Sequence, residues 1–395
     1  WMAEHLKGEF EALRHANGLG SPGYTAALAK RWEQELAKGA WTGLSWPKAY
    51  GGRELSLAQQ MIFHEVYVQC GGPGRLGHIG ETLLAPTLMA FGTEAQKNQF
   101  LPGILKGTTY WAQGYSEPGA GSDLANVQTY GEDKGDHWLV NGQKIWTSGA
   151  QHSDYGILIT RTDPTVAKHK GLTMFFLSMK SPGVDIRPIK QANGQSEFNE
   201  VYFTDAKVPF SETLGSTGDG WRVSLTTLMN ERVAIGGAIP QQGSGPIREA
   251  VRLWNALSPE RKDSATKDRL MQLWSRAEVA RLTNIRAGQS RKMGVPGPEG
   301  SIGKMVSADL NKETYEFCID LLGADGMLYG SYEFVRPDSA MSFDSIPKAF
   351  LRARANSIEG GTSEVMRNIL GERVLGLTGD VRVDREMPWS KVPRN

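Results

Sequence analysis

The chain has 395 residues, of which 44 are lysine or arginine and 43 are aspartate or glutamate, so its formal net charge is +1. This length allows two or three domains with a sizeable buried core, and a composition of 39% hydrophobic and 22% charged residues is that of a folded globular protein. The near-zero net charge argues against nucleic-acid binding, which requires an excess of basic side chains. Glycine is abundant, with 47 residues, but shows no collagen-like period.

Targeting and metal-binding signals are sparse. No apolar run approaches the ~20 residues that span a bilayer, and the first residues lack the pattern of a signal peptide. The two cysteines, Cys70 and Cys318, can form neither a disulfide framework nor a zinc site. The seven histidines show no metal-ligand spacing. We therefore expect a cytoplasmic protein without a bound metal.

The first part of the chain is predicted to be a helical domain over residues 1–110. Helical periodicity dominates from about residue 24 to residue 106. Thr93 is followed three residues later by Gln96, which has the form of a capping box and predicts the start of a helix.

The middle part, residues 111–215, is predicted to be an antiparallel β-barrel or sandwich. Strand candidates rich in β-branched and aromatic residues cover residues 155–160, 172–179, 184–189 and 200–204. Two further candidates, residues 138–140 and 144–147, flank Asn141-Gly142. This dipeptide favours a two-residue turn, so we predict a hairpin there.

The last part, residues 216–395, is predicted to be a second helical domain. Four apolar residues at helical spacing predict the buried face of its first helix, Trp221, Leu225, Leu228 and Met229. That helix should end near Gly236-Gly237. Further helices are expected over about residues 268–292 and 304–322, the latter with Gly323 just past its end, and on either side of Gly360-Gly361. The fold class predicted for the whole chain is therefore α+β, with helical, β and helical domains in that order.

A glycine-rich segment is the strongest local signal: Gln113-Gly114-Tyr115-Ser116-Glu117-Pro118-Gly119-Ala120-Gly121-Ser122-Asp123. Small residues allow backbone N–H groups to approach an anionic or acceptor-rich ligand closely. Taken alone, the segment is equally compatible with a plain β-turn.

Three segments together resemble the motifs of the acyl-CoA dehydrogenase family. Residues 113–123 resemble its TEPGAGSD motif, with Ser116 in place of the usual threonine, and residues 144–149 resemble K-x-W-I-T-N-G. Residues 361–367 resemble GTSE-x-x-R near the C-terminus. The resemblance implies an FAD-dependent enzyme that converts an acyl-CoA thioester to the trans-2-enoyl-CoA and passes the electrons to an electron-transfer flavoprotein.

The resemblance also implies FAD contacts in all three motifs. In the first motif the implied contacts are Gln113, Tyr115, Ser116, Gly121 and Ser122, with Ser122 near the pyrophosphate or the thioester arm of the substrate. In the second they are Trp146 at the flavin edge, Thr147, and Ser148 near N5. In the third they are Thr362 and Glu364. For Trp146 alone, a core aromatic of the β domain is the alternative interpretation.

The implied base is a carboxylate that removes the α-proton, and two positions compete for this role. Many family members carry the glutamate of Y-E-G-T, but here Gly360 occupies that position, and Glu359 lies one residue, about 100° of helix rotation, away. Isovaleryl and long-chain type members carry the glutamate directly before an arginine on the first long helix of the last domain, where this chain has Glu231-Arg232. A surface Glu–Arg pair is the alternative there. The missing glutamate at Gly360 favours Glu231.

The surroundings of Glu231 imply its substrate contacts. Glu231 follows Leu228 by three residues and so shares the predicted apolar face, where desolvation would raise its pKa. The implied substrate contacts are Asn230, Arg232, Gly360, Gly361 and Ser122. Because the base lies on the earlier helix and Gly360 leaves space where relatives have a glutamate, we expect a branched, long or bulky acyl group, whose identity the sequence does not determine among long, branched, aromatic and steroid side chains.

Two departures from the family pattern concern the adenosine end of FAD and the oligomer contacts. The R-x-x-F-G segment after the base helix is missing, and Asp320-Leu321-Leu322-Gly323-Ala324 replaces Q-x-F-G-G. We expect a homodimer or homotetramer, with a heteromer as the alternative. The alternatives to a dehydrogenase are a flavin oxidase or monooxygenase on the same fold, or a structural subunit of a heteromeric acyl-CoA dehydrogenase.

Overall fold

The computed structural model describes residues 1–16, 18, 21, 23–236, 242–292, 300–328, 345–379 and 381–393, without the side chains of residues 57, 231–236 and 288–292. The chain begins with helices and short turns. The helical elements are α1 (Met2–His5), α2 (Ala26–Lys38), α3 (Leu57–Gln69), a π-helix (Ile79–Leu84), α4 (Ala85–Phe91) and α5 (Glu94–Leu105).

The capping box predicted at the start of α5 is confirmed. The Thr93 hydroxyl accepts the N–H of Gln96 at 3.2 Å, and the Gln96 side chain accepts the N–H of Thr93 at 3.0 Å. The Gln96 amide also donates to the carbonyls of Ser211 and Thr213, each at 2.8 Å. The same side chain therefore begins the helix and attaches it to the β domain.

The middle part forms a predominantly antiparallel sheet. Its strands are β1 (Trp111–Gly114), β2 (Tyr130–Asp133), β3 (His137–Lys144), β4 (Tyr155–Arg161), β5 (Leu172–Ser178), β6 (Val184–Pro188), β7 (Asn199–Pro209) and β8 (Thr213–Leu214). The order is β6-β7-β3-β2-β4-β5-β8, and β1 pairs in parallel with β4. β2 and β4 also meet in parallel, at a single residue pair.

The hairpin predicted at Asn141-Gly142 is wrong. β3 runs through both residues, and its pairing with β7 shifts register between Val140 and Gly142, as in a β-bulge. Gly142 has φ +143°, and a Cβ there would lie 2.7 Å from the Thr129 backbone, so glycine is required. Across the bulge, the Asn141 amide donates to Asp205 at 3.0 Å and its oxygen accepts the Asp205 N–H at 2.8 Å. The dipeptide fixes the strand register and does not reverse the chain.

The C-terminal helices are α6 (Gly220–Gly236), α7 (Pro246–Ala256), α8 (Ser264–Lys292), α9 (Gly300–Leu322), α10 (Ile346–Ala353) and α11 (Ser363–Arg373). Gly323 has φ +61°, as expected of a residue that ends a helix. The predicted stop at Gly237 lies outside the described residues.

The buried face of α6 differs from the predicted one. Trp221 and Leu228 are partly buried against the core, but Leu225 and Met229 are 38% and 50% exposed. The fully buried positions include Thr227, whose hydroxyl lies 3.1 Å from that of Thr87 on α4. Small polar side chains let α6 pack closely on the π-helix, α4 and β5. Two of the four predicted residues therefore pack against the core, whereas the other two face away from it.

Hydrophobic packing joins the first two domains and α6. One cluster, which includes Phe100, Trp111 and Phe176, connects α4, α5, the sheet and α6. A second fills the other side of the sheet around Phe175 and Val201, and a third holds α7 to α10 together. Among the described residues, no helix is long and apolar enough to cross a membrane, and no cluster of His, Cys, Asp or Glu could hold a metal ion.

Candidate functional site

The glycine-rich segment and the end of β3 lie side by side. Gln113 is a half-buried residue of β1, and the loop that follows begins with the buried Tyr115. The N–H of Ile145 donates to the Ser116 carbonyl at 2.9 Å, and the Lys144 ammonium donates to the Tyr115 carbonyl at 3.0 Å. The first two motifs therefore form one continuous edge of the β domain.

A buried ion pair lies beneath this edge. Lys144 is fully buried, and its ammonium donates to the Glu117 carboxylate at 2.8 Å. Glu117 also accepts the N–H groups of Gln128 at 2.6 Å and Thr129 at 2.9 Å. Burial opposes ionisation of Glu117, but the Lys144 charge and these donors hold its pKa below its usual value. Burial lowers the pKa of Lys144 to about 8. Glu117 thus joins the start of the loop to its far end and to β3.

The tip of the loop is open to solvent. Glu117 and Ala120 exchange backbone hydrogen bonds at 3.1 and 3.0 Å, which close a tight turn. Gly119, Gly121 and Ser122 are exposed, and no atom lies within 4 Å of a Cβ placed on Gly121. The tip presents small side chains and accessible backbone, which suit close approach of a polar ligand.

Trp146 projects from the same edge in a strained conformation. It has φ +59°, which residues with side chains rarely adopt, and its side chain is 54% exposed. On one side Ile145 is bonded to the loop, and on the other the backbone of Thr147 pairs with Asn199 at 3.0 and 3.1 Å. Such strain, roughly 1–3 kcal/mol, persists only where the surroundings hold it and clusters at functional sites. The exposure excludes the interpretation of Trp146 as a core aromatic.

Thr147 points in the opposite direction. Its side chain is 1% exposed and lines a small internal cavity together with Gly114 and Leu158. Its hydroxyl has no hydrogen-bond partner among the described residues. Ser148, the next residue, is half-buried. Of the second motif, Trp146 and Ser148 are therefore the side chains that can serve a ligand at the edge, whereas the Thr147 hydroxyl faces the interior.

The third motif begins α11. The Thr362 hydroxyl accepts the N–H of Val365 at 3.2 Å and so caps the helix. Glu364 is exposed and pairs with Arg367 at 3.4 Å. The Thr362 hydroxyl is thus engaged by the helix N-terminus, and the Glu364 carboxylate lies beside it.

Gly360 and Gly361 form a left-handed turn just before this helix. Their φ angles are +62° and +94°, which favour glycine, and the Lys304 ammonium donates to the Gly361 carbonyl. A glutamate at position 360 would be strained in this turn. The position where the resemblance places the base of many relatives is therefore shaped for glycine.

Glu359 is held by Arg352 of α10. The two terminal nitrogens of Arg352 donate to the Glu359 carboxylate at 3.1 and 2.7 Å. Arg352, which is 6% exposed, also lies 3.6 Å from a Glu197 oxygen and 5.6 Å from the centre of the Phe198 ring. The Phe198 ring in turn meets the Trp146 ring edge to face, with centroids 5.9 Å apart. These contacts connect the glycine turn to Trp146, and they engage Glu359 in a way that does not suit a base.

α6, the helix that contains the predicted base, contacts the first domain. The Asn230 amide donates to the carbonyl of Leu83 in the π-helix and to the Thr87 hydroxyl, both at 3.4 Å. Asn230 therefore attaches α6 to the first domain, which differs from its predicted contact with substrate. The side chains of Glu231 and Arg232 lie outside the described residues, so their roles stay predictions.

Sequence reasoning missed the residues that build the scaffold of the site. Glu117 and Lys144 lie inside the first two motifs, and the only local signal of a buried pair is that each charge stands next to an uncharged residue such as Pro118 or Ile145. Arg352 and Phe198 carry no local signal at all, because their contacts form between residues distant in sequence.

Comparisons with known proteins identify the family. Three family models match in order: the acyl-CoA dehydrogenase N-terminal domain over residues 24–108, the middle domain over residues 112–206 and the C-terminal domain over residues 218–375. The chain therefore belongs to the acyl-CoA dehydrogenase family of oxidoreductases, which generally depend on FAD. The predicted fold class is confirmed.

Individual relatives agree with this assignment. The acyl-CoA dehydrogenase IpdE1 of Mycobacterium tuberculosis is 40% identical over 97% of this chain and 96% of its own length. IpdE1 of Mycolicibacterium smegmatis is 38% identical over the same shares. Among solved structures, the Tcur3481-Tcur3483 steroid ACAD matches with a TM-score of 0.79 and 27% identity, over 96% of this chain and 97% of that one. The ChsE4-ChsE5 complex of Mycobacterium tuberculosis matches with a TM-score of 0.74 and 29% identity, over 89% and 91%.

Proposed function

We propose that the chain binds FAD and an acyl-CoA thioester along the edge formed by the glycine-rich loop, Trp146 and Ser148, and converts the thioester to the trans-2-enoyl-CoA. The observation that carries this proposal is the joining of the first two motifs. A buried ion pair and a backbone hydrogen bond hold an open loop tip next to an exposed, strained tryptophan.

The groups on this edge fit a flavin by their chemistry. The exposed indole of Trp146 offers an apolar surface for a planar ring. The hydroxyls of Ser116 and Ser148 offer hydrogen bonds to its polar atoms, and the open backbone at Gly121 and Ser122 suits a pyrophosphate. Bound FAD would supply the acceptor for the hydride that leaves the β-carbon.

Glu231 is the base in this proposal. The α-proton moves to its carboxylate while the β-hydrogen leaves with its electron pair, so the Cα–H and Cβ–H bonds break as the double bond forms. Two observations support Glu231 over a base near the glycine turn. The left-handed φ of Gly360 would strain a glutamate at that position, and Glu359 is engaged by Arg352. Residue 231 follows by one helical turn the buried Thr227, whose hydroxyl lies 3.1 Å from that of Thr87 in the first domain.

The test replaces Glu231 with glutamine, which keeps the shape of the side chain but removes its basicity. We expect Glu231→Gln to retain FAD and to slow the anaerobic bleaching of the flavin by acyl-CoA by about 10²- to 10⁴-fold, the usual contribution of a general base. Absorbance of the bound flavin measures both quantities. Glu260→Gln, at an exposed position, serves as the surface control.

Glu359→Gln discriminates between the two candidates. An amide oxygen can still accept a hydrogen bond from Arg352, so bleaching should persist in this variant. Loss of bleaching in Glu359→Gln, together with persistence in Glu231→Gln, would transfer the role of base to Glu359 and overturn the assignment.

The substrate class that we infer is a bulky acyl group: long, branched, aromatic or derived from a steroid side chain. Position 360 carries no side chain, and a steroid ACAD is among the structural relatives. The experiment is a panel of CoA thioesters with an artificial electron acceptor. We expect kcat/KM to be higher for steroid-side-chain or aromatic thioesters than for butyryl-CoA, and the reverse order would contradict the inference.

For the electron acceptor we infer an electron-transfer flavoprotein, and for the assembly a homodimer or homotetramer. An exposed apolar stripe on α8, formed by Met271, Val279 and Leu282, supports an oligomer because such stripes mark interfaces. A heteromer is the alternative, in line with the ChsE4-ChsE5 complex among the structural relatives.

The electron acceptor is tested separately. Rapid oxygen consumption without any acceptor protein would favour the alternative that the chain is a flavin oxidase.

A further inference from the structure

The C-terminal segment returns from the helical domain to the β domain. We call residues 381–393 the C-terminal strap. The N–H of Trp389 donates to the Val166 carbonyl at 2.8 Å, and the N–H of Ser390 donates to the Pro164 carbonyl at 2.9 Å. The strap therefore lies along the connection between β4 and β5, beyond residue 375, where the match to the C-terminal family model ends.

Trp389 seals a buried arginine that holds the end of the glycine-rich loop. The indole is 8% exposed, its N–H donates to the Asn126 side chain at 2.8 Å, and its ring lies 4.6 Å from the guanidinium of Arg161. Arg161 is fully buried and donates to the carbonyls of Ala125 at 2.5 Å and Lys168 at 2.7 Å. Trp389 therefore bonds to one residue just after the loop and covers the cation that binds another.

A charge contact connects the strap to the loop itself. The Lys168 ammonium lies 2.7 Å from the Asp384 carboxylate of the strap and 3.1 Å from that of Asp123. Asp123 is the last residue of the glycine-rich motif. The strap thus reaches the downstream end of the motif through two independent contacts, one aromatic and one ionic.

The geometry points to the C-terminal strap as a positioning element of the candidate site, with Trp389 as its positioning residue. Glu117 and Lys144 hold the start of the loop, and Glu117 also holds residues 128 and 129, whereas the strap holds residues 123–126, nearer the tip. The open tip between these anchors is thereby held in one conformation. The consequence for FAD affinity rests on the function proposed above, whereas the ordering of the loop does not.

The test combines one loss variant with one matched control. Trp389→Ala removes both the indole N–H and the cover over Arg161, whereas Val383→Ala changes a side chain of the same strap that is 84% exposed. Hydrogen–deuterium exchange of peptides covering residues 117–126 is measured in the full chain as purified. We expect Trp389→Ala to speed this exchange about tenfold, as the combined loss of a hydrogen bond and a cation–π contact implies. Val383→Ala should leave it unchanged.

Affinity for FAD is the second readout. Trp389→Ala should raise the dissociation constant of FAD and the KM for acyl-CoA by about tenfold each, with kcat much less affected. Trp389→Phe keeps a ring over Arg161 without the indole N–H, so it should fall between the wild type and Trp389→Ala. If Trp389→Ala does not fold, Trp389→Phe and Asp384→Asn carry the test, because each removes a single contact of the strap.

The outcomes separate a positioning role from a merely stabilising one. A lower melting temperature with unchanged exchange at residues 117–126 and an unchanged FAD dissociation constant would overturn the inference. If the wild-type chain bound no FAD, the proposed function would fail, but faster exchange of the loop in Trp389→Ala would still support the role of the strap. Faster exchange in Val383→Ala as well would assign the effect to general loosening of the strap and would also overturn the role given to Trp389.

Discussion

Glu117 and Lys144 form a buried ion pair that holds the glycine-rich loop in place. The removal of two charges from water is costly, and a buried ion pair often adds little net stability compared with apolar residues. Here the carboxylate also satisfies two backbone N–H groups at the far end of the loop, and the ammonium satisfies the Tyr115 carbonyl at its start. The pair therefore specifies one loop conformation, which apolar residues of the same size could not do.

Removal of the Lys144 ammonium should strongly lower the free energy of unfolding. Lys144→Met leaves Glu117 buried without its partner, and breaking a buried pair from one side costs roughly 3–5 kcal/mol. Urea unfolding should show a loss of this order. Lys180→Met is the matched control, because Lys180 forms an ion pair with Asp154 at 2.7 Å while being 76% exposed, and little change is expected. Equal losses in the two variants would contradict the role given to the buried pair.

The same carboxylate predicts a dependence on pH. Burial opposes its ionisation, but Lys144 and the backbone donors keep the pKa of folded Glu117 below its usual value of 4.5. Glu117 therefore contributes stability that is fully present above the pKa of the unfolded chain and is lost as the pH falls through the folded pKa. The free energy of unfolding, measured from about pH 6 to about pH 3, should fall more steeply for the wild type than for Glu117→Gln. Parallel curves would contradict this assignment.

At the scale of elements, the sequence predicted correctly those features that depend on residues close together in the chain. The capping box of α5, the strands β4 to β6 and the turn at Gly323 depend on residues close in sequence, and they appear where expected. Asn141-Gly142 suits both a turn and a bulge, because both need a positive φ at glycine. Pairing with β7, some 60 residues further along the chain, decides between them. The prediction failed because that partner was not visible in the local sequence.

In the candidate site, too, the sequence predicted the local segments but not the contacts between distant residues. The three motifs locate the glycine-rich loop, Trp146 and the glycine turn, because these segments carry unusual residues in short stretches. The contacts that assemble them do not follow from any short stretch. Arg352 lies 154 residues from Phe198, and the distance in space of 5.6 Å follows only from the fold.

Arg352 of the last domain contacts Glu197 and Phe198 of the β domain, whereas its neighbour Arg354 pairs with Glu316 within the last domain. We therefore expect different effects of the two substitutions. Arg352→Met leaves Glu197, a residue that is 5% exposed, without its cation, and it removes the support behind Phe198 and Trp146. We expect a lower melting temperature. Arg354→Met breaks a pair with Glu316 in which both side chains are about 40% exposed, so a small effect is expected there. The same loss in both variants would show that Arg352 has no special role.

At the scale of the whole molecule, all three parts of the chain contribute to one region. The β domain supplies the loop and Trp146, and the first domain holds α6 through Asn230 and the paired threonines of α4 and α6. The last part contributes twice, through Arg352 and through the strap. A site built in this way depends on the packing between domains, so contacts far from the reacting atoms should influence its geometry.

The exposed apolar stripe on α8 provides the last prediction. Met271, Val279 and Leu282 share one side of the helix and are 48%, 62% and 50% exposed. A stable dimer buries about 800 Å² on each partner, and a charge within such an interface is strongly unfavourable. We expect light scattering of the wild type to give a multiple of 43.3 kDa, and Val279→Glu with Leu282→Glu to give a single chain. Asn255→Glu, at an exposed position of α7, should not change the mass. A monomeric wild type would contradict the homo-oligomer and favour assembly with a different subunit.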